Sequence, residues 1–257
     1  EESIKTLQEE LEPLQAMVSD GERVLGLEFL SQDLDVYLGW KKDKADYLEK
    51  QQEQKDLRER LEQLKDFIGI PVRTFDLDLT EEKDLERLKV ALTQAGLQVK
   101  FLVNAAGFGK IGGVRELSVS DQTGMAELNC TALTAVTSMV LPFMPNNSRI
   151  LQFASSAAFL PQPGFAVYAA TKAYVLSYSR ALNRELKDRG ISVTAICPGP
   201  VKTEFFDIAQ TTGEIPLYKQ FVMAKPDRVV KKAIRDSVSR RELSVYGWTM
   251  KAFYLLT

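Results

Sequence analysis

The sequence predicts an α/β domain in which helices cover both faces of a parallel sheet. Short β-branched apolar runs alternate with longer segments of helical periodicity, the pattern of a parallel sheet with crossover helices. Several of the runs, Phe101-Leu102-Val103 among them, are apolar at every position, as strands buried on both faces are. A chain of 257 residues, 45% hydrophobic, holds enough apolar side chain to build such a core as one domain over residues 1–257.

Residues 1–13 read as a short leading helix with Ile4, Leu7 and Leu11 on its apolar side. Strands are expected at Gln15 to Val18, Asp35 to Gly39, Val72 to Phe75, Val99 to Val103, Arg149 to Phe153, Ser192 to Ile196 and Leu243 to Tyr246, about seven in all. Leu57, Leu61, Leu64 and Ile68 step by three or four residues and mark a helix with one apolar stripe. The charged stretch Lys41 to Asp56 reads as a solvated helix face, because no heptad persists long enough for a coiled coil. Thr80, followed by Glu81, Glu82 and Asp84, marks a helix start with acids at the positive end of the dipole. Two long helices are expected over Val119 to Leu141 and Ala166 to Lys187.

Composition narrows the chemistry. The chain has no histidine, which removes the imidazole base of Ser-His-Asp and Cys-His hydrolases and the usual ligands of zinc and facial-triad iron. No metal site is expected. Its two cysteines, Cys130 and Cys197, lack metal-ligand spacing. With 33 basic and 35 acidic residues, the net charge of −2 argues against a nucleic-acid surface. No secretory signal and no membrane-spanning apolar run is visible, so a reduced, cytoplasmic setting is expected. Tyr, Lys, Asp and Glu remain as acids and bases.

The segment Arg149 to Thr203 carries the strongest chemical signal. A strand ends at Ala154, and Ser155 follows at its C-terminal edge, where ligands bind in open α/β sheets. Pro161, Pro163 and Gly164 then lead into a helix near Ala166, on which Tyr168 and Lys172 stand four residues apart and share a face. A nearby ammonium favours a phenolate, so the pair is expected to lower the tyrosine pKa and make Tyr168 a proton donor and acceptor. Ser155 would hold the same substrate oxygen. Spacing alone does not decide this: Tyr37 and Lys41 share it, and a half-buried tyrosine beside a solvated lysine is the competing reading.

The context is more specific. Ser155 precedes Tyr168 by a short loop, Asn104-Ala105-Ala106-Gly107 follows a buried strand, Asn129 opens Asn-Cys-Thr-Ala, and Pro198-Gly199-Pro200-Val201-Lys202-Thr203 follows another strand. This assembly resembles the short-chain dehydrogenase/reductase family over nearly the whole chain, most specifically from Leu102 to Phe206. The resemblance implies a Rossmann-type doubly wound sheet in three α/β/α layers and an oxidoreductase that moves hydride between nicotinamide and a carbonyl or alcohol. It implies Tyr168 as acid and base. Lys172 would lower its pKa and bind the ribose, Ser155 would polarise the substrate oxygen, and Asn129 would support a proton relay. Asn104, Ala106 and Gly107 would lie beside the adenosine half, and Asp78 would contact adenine. Pro198, Gly199, Val201 and Thr203 would line the nicotinamide side, Val201 and Thr203 at the carboxamide. For Gly107 and Gly199 plain turn formation competes with direct contact.

One stretch departs from the family. The glycine-rich loop after the first strand is replaced by Ser19-Asp20-Gly21-Glu22-Arg23-Val24-Leu25-Gly26. Ser19, Gly21, Arg23 and Gly26 remain candidate phosphate contacts. Asp20 and Val24 add charge and bulk where the family has glycine, which opposes a pyrophosphate at a helix N-terminus. The alternatives are therefore a catalytically silent scaffold or a nucleotide sensor. Lys41 and Lys42 after the second strand suit a 2′-phosphate, against the competing reading of a solvated loop, and the family resemblance makes Arg23 a further mark of NADP, so NADP is expected over NAD.

Residues 204–225 are expected to form a substrate-binding flap whose Phe205, Phe206, Leu217 and Phe221 suit a small apolar or bulky carbonyl compound. The family resemblance implies a homodimer or homotetramer through the two long helices. The apolar end, Met250 to Thr257, is either a subunit contact or a membrane-touching tail.

Overall fold

The computed structural model describes residues 73–201 and 223–247, with Met250, Lys251 and Tyr254. The chain divides into two compact units, Glu1–Leu77 and Asp78–Thr257, and almost all described residues belong to the second. The expected leading helix, the strands at Gln15 to Val18 and Asp35 to Gly39, and the helix through Leu57 to Ile68 lie outside the described residues.

The second unit opens with α1, Glu82–Ala95. Glu82 and Asp84 sit in its first turn, complementing the positive end of the helix dipole. The buried Asp84 carboxylate accepts from the Asp78 backbone N–H at 2.8 Å and pairs with Arg87 at 2.8 Å, and both contacts hold its pKa below the usual carboxylate range. The helix stops at Gly96, whose φ of 57° is the left-handed cap that glycine supplies without a Cβ penalty.

Four parallel strands follow among the described residues: β1, Phe101–Asn104; β2, Arg149–Phe153; β3, Ser192–Ile196; and β4, Leu243–Ser244, in that spatial order. The register pairs Phe101 with Arg149 and Arg149 with Ser192, so the C-terminal ends of β1, β2 and β3 finish level. β1 to β2 crosses through α2, Val119–Ala126, a π-helical stretch, Glu127–Ala132, and α3, Leu133–Val140. β2 to β3 crosses through α4, Ala166–Glu185, and β3 to β4 through α5, Pro226–Val238. Ser118 caps α2 by accepting from Asp121 N–H at 3.0 Å.

Strand alternation separates the two faces. Ile150 and Val193 pack with Val136, Val140 and Leu182 from α3 and α4. Leu151 and Ile196 turn the other way onto Ala233 of α5. Every residue of β3 is buried, and its sequence, Ser-Val-Thr-Ala-Ile, is correspondingly small and uncharged. Each fully buried aliphatic side chain in these layers contributes about 1.5–3 kcal/mol by leaving water.

Four expectations shift. Arg73 to Phe75 form no strand, and Val72 lies outside the described residues. The first described strand starts at Phe101 rather than Val99, whose N–H instead donates to Phe143 O at 2.9 Å. The helix expected to run unbroken from Val119 to Leu141 is interrupted by the π-helical stretch, which widens one turn around Asn129. The strand expected through Tyr246 pairs with β3 only over Leu243 and Ser244.

Candidate active site

The level ends of β1, β2 and β3 release three loops at one edge of the sheet, and the chemistry gathers there. After β2 the chain passes Ala154 and enters a 3-10 turn, Ser156–Phe159, capped by Ser155, whose Oγ accepts from Ala157 N–H at 3.1 Å. Ser156 N–H donates to Pro198 O at 2.9 Å, which ties the loop after β2 to the loop after β3. Ser155 is held half-buried at this junction.

Tyr168 and Lys172 come to the same place from the first two turns of α4. Both are buried, at 7% and 6% exposure. Lys172 Nζ donates to Phe153 O, the last carbonyl of β2, at 2.8 Å, and lies 5.6 Å from the centre of the Tyr168 ring. Phe165 stacks on the Tyr168 ring with centroids 4.3 Å apart and planes inclined by 26°. Phe165 stands three residues before the tyrosine and Lys172 four after it, so the phenol is flanked along the helix by a ring and an ammonium.

Burial sets the proton affinities. Loss of solvent pushes Tyr168 up to about 12, and its hydrogen bond with the Ser155 hydroxyl pulls partly back. The sequence leads one to expect a phenol made more acidic by Lys172; the structure gives the opposite net direction because desolvation outweighs the hydrogen bond with Ser155. The same desolvation brings Lys172 down to about 8. At neutral pH the pair is a phenol and an ammonium, both proton-loaded. Cys197 is buried beside them and pushed up to about 12, while half-buried Cys130 is raised by the same cause, so both thiols stay protonated.

Asn129 sits in the π-helical stretch with its side chain fully buried. Insertions of this kind widen a helix and are frequent at functional sites. Its Nδ2 donates to Phe108 O at 2.9 Å and to Thr171 Oγ1 at 3.0 Å, and its Oδ1 accepts from Phe108 N–H at 3.0 Å. The amide is thereby locked to the loop after β1. Gly107, next in that loop, runs so close that a Cβ would lie 2.6 Å from Asn129 Oδ1 and 3.4 Å from Lys172 Nζ. Gly107→Ala is therefore expected to destabilise the fold by about 1–3 kcal/mol, because the amide it strikes is fixed by three bonds. Urea unfolding of the variant measures this directly.

The other predicted residues divide. Asn104 ends β1 and directs Nδ2 to Thr137 Oγ1 and Gln152 Oε1, both at 2.9 Å, closing a polar ring within the sheet layer. Ala106 and Gly107 are exposed beyond it. The Asp78 carboxylate accepts from Thr80 N–H at 2.8 Å and Thr80 Oγ1 at 2.6 Å, starting the turn before α1. Met250 Sδ packs where a Cβ on Gly199 would be, 2.7 Å away, so packing alone accounts for that glycine. Val201 forms a parallel bridge with Ala224, and Ala224 N–H donates to Pro200 O at 2.9 Å. Ser19, Gly21, Arg23, Gly26, Lys41, Thr203, Phe205, Phe206, Leu217 and Phe221 lie outside the described residues. Among the described residues no His, Cys, Asp or Glu cluster suits a metal, and no helix is long and apolar enough to cross a membrane.

Sequence reading missed Phe165, Thr171, Thr137 and Gln152. Thr171 carried a signal, a β-branched hydroxyl residue in a helix interior immediately before Lys172, where an alanine or leucine would serve the helix better.

Comparison with known proteins agrees with this geometry. A very-long-chain 3-oxoacyl-CoA reductase of Rattus norvegicus is 30% identical over 175 residues, 66% of this chain and 55% of that protein. One of the same description from Pyrenophora tritici-repentis is 31% identical over 164 residues, 62% of this chain and 48% of its own. The chain thus spans about half the length of the curated relatives it matches. A short-chain dehydrogenase from Sphingobium yanoikuyae in complex with NADPH superposes with a TM-score of 0.65 at 28% identity, covering 76% of this chain and 75% of that one. One from Burkholderia phymatum in complex with NAD shares the fold, with a TM-score of 0.63 at 20% identity over 74% of this chain and 75% of its own. The family profile for short chain dehydrogenase matches residues 41–212, more than half of the sequence, and with the Rossmann-type sheet described above the chain belongs to the short-chain dehydrogenase family.

Proposed function

We propose that the chain is an NADP-preferring oxidoreductase that reduces the ketone of a bulky apolar substrate, with a 3-oxoacyl thioester as the leading class. The observation that carries this reading is the convergence of Ser155, Tyr168 and Lys172 at one edge of the sheet, with Tyr168 and Lys172 buried and proton-loaded at neutral pH.

The residues present fit a nicotinamide nucleotide. Gly107 lets the loop after β1 run against Asn129 and Lys172 where a Cβ would collide, and Ala106 and Gly107 are both exposed beside Lys172. Lys172 would hold the ribose hydroxyls, and Pro198, Gly199 and Val201 would line the nicotinamide side. The nicotinamide supplies the hydride when bound. Tyr168 gives its phenolic proton to the carbonyl oxygen as negative charge develops there, and a phenol kept protonated by burial suits that direction. Ser155 hydrogen-bonds the same oxygen and holds it toward Tyr168. The Lys172 ammonium stabilises the phenolate left behind and can replace its proton.

Two observations support an apolar substrate. Met125, Ala157, Phe165 and Ala169 cluster around the Tyr168 ring, with Phe108 and Leu117 packed against them. The curated relatives named above are reductases of 3-oxoacyl-CoA. The test is NADPH oxidation with long-chain 3-oxoacyl-CoA and with bulky ketones, NADH being run in parallel. Turnover with NADPH supports the reading, and binding without turnover of any ketone counts against it.

A second reading, a scaffold that keeps the fold without cofactor, is favoured by Asp20 and Val24 in a stretch that precedes the family match at residue 41. Titration with NADPH separates the two. Micromolar affinity supports the enzyme, and no binding of NADPH or NADH at millimolar concentration supports the scaffold.

A further inference from the structure

Asn129 is fixed from two sides. From the loop after β1, the Phe108 backbone uses both its N–H and its carbonyl on the Asn129 amide, at 3.0 and 2.9 Å. From α4, Thr171 Oγ1 accepts the remaining Nδ2 hydrogen at 3.0 Å. That hydroxyl spends its own hydrogen on Tyr168 O at 2.8 Å. Thr171 is 4% exposed and Asn129 fully buried, so no water competes for these groups. Every donor and acceptor in the chain Phe108–Asn129–Thr171–Tyr168 is matched, and such closed buried networks hold one geometry.

The clamp joins three elements: the loop after β1, the π-helical stretch and the first turns of α4, the last two also linked by the weaker bond from Cys130 Sγ to Thr171 O at 3.8 Å. It also governs the approach of Gly107, whose Cα side faces Asn129 Oδ1 and Lys172 Nζ. We propose that Thr171 is a positioning residue that, through the Asn129 amide, fixes the Phe108 backbone and so holds the Gly107 loop against Lys172 in the geometry the reaction uses. This rests on the oxidoreductase reading for its catalytic consequence, while the clamp itself is measurable without turnover. Thr171 touches no reacting atom. Its hydroxyl is irreplaceable there because only a group that accepts from Asn129 and donates to Tyr168 O satisfies both neighbours.

Thr171→Val keeps the shape and removes the hydroxyl, leaving one Asn129 N–H buried without a partner. Loss of one such bond is expected to raise amide hydrogen exchange in the segment Gly107–Ile111 by about tenfold, with β2 and β3 unchanged. With NADPH and a ketone, kcat is expected to fall by about tenfold while KM for the ketone stays within about twofold. Thr171→Ser restores the hydroxyl and is expected to recover both. Thr171→Ala is read in the same way if the valine variant does not fold. Unchanged exchange at Gly107–Ile111, a rise spread evenly over the sheet, or failure of Thr171→Ser to restore the local protection overturns the proposal. If the unmodified protein reduces no ketone, the oxidoreductase reading falls, and the exchange data still decide whether Thr171 holds the loop.

Discussion

Tyr168→Phe is expected to fold, to bind NADPH with the affinity of the parent chain, and to lose ketone reduction by about 10³-fold or more. The ring is what packs: Phe165 stacks on it at 4.3 Å and Met125, Ala157 and Ala169 surround it, and phenylalanine keeps all of that. Only the phenolic oxygen goes, and with it the proton that the carbonyl must receive. The hydrogen bond with Ser155 is also lost, but the Ser155 hydroxyl still accepts from Ala157 N–H. Rates followed by NADPH absorbance, with affinity from nicotinamide fluorescence, measure the two effects separately. Retention of more than about a tenth of the activity would assign the proton to another group.

Lys172→Met is expected to reduce turnover by about 10²-fold or more and, at neutral pH, to make the protein more stable by about 2 kcal/mol. The stability gain follows from burial. Lys172 titrates near 8 in the folded chain and near 10.5 when unfolded, so between those values the unfolded state binds more protons and folding strengthens as pH rises. Below about pH 8 the cost of a buried ammonium is fully present, and methionine removes it. The loss of the bond to Phe153 O reduces the gain. Measured by urea unfolding, the difference between variant and parent is expected to be largest at pH 7 and to shrink through the window from about 8 to 10.5. Tyr168, raised to about 12 from 10.0, weakens both proteins together above pH 10 and leaves the difference untouched. A variant less stable than its parent at pH 7 would mean that the Phe153 hydrogen bond outweighs desolvation.

The parts of this molecule that sequence makes readable are those governed by nearest neighbours. β2 and β3 are found at the predicted bounds, Arg149–Phe153 and Ser192–Ile196, because short β-branched and apolar runs between helical segments mark the strands of a parallel sheet. Tyr168 and Lys172 were legible for the same reason, since a four-residue step on a helix fixes which side chains share a face. What escaped depends on pairs distant in sequence. Thr171 touches Asn129, 42 positions earlier, and Gln152 touches Asn104, 48 positions earlier. The π-helical stretch leaves no mark in Glu-Leu-Asn-Cys-Thr-Ala, whose composition suits an ordinary helix equally well. The direction of the Tyr168 pKa was misjudged because the Tyr-Lys spacing reports a charge nearby and says nothing of how little water remains. The loop Ser19 to Gly26 lies beyond the described residues.

The bridge between Val201 and Ala224 has an evolutionary consequence. Val201 and Ala224 lie side by side, and the backbone bond from Ala224 to Pro200 holds the two ends of the intervening interval together. The entropy of closing a loop between fixed anchors grows only slowly with its length. Insertions, deletions or wholesale replacement within that interval therefore leave β3 and α5 where they are. A change of length between these two anchors is thereby uncoupled from the packing that holds Ser155, Tyr168 and Lys172 at the sheet edge.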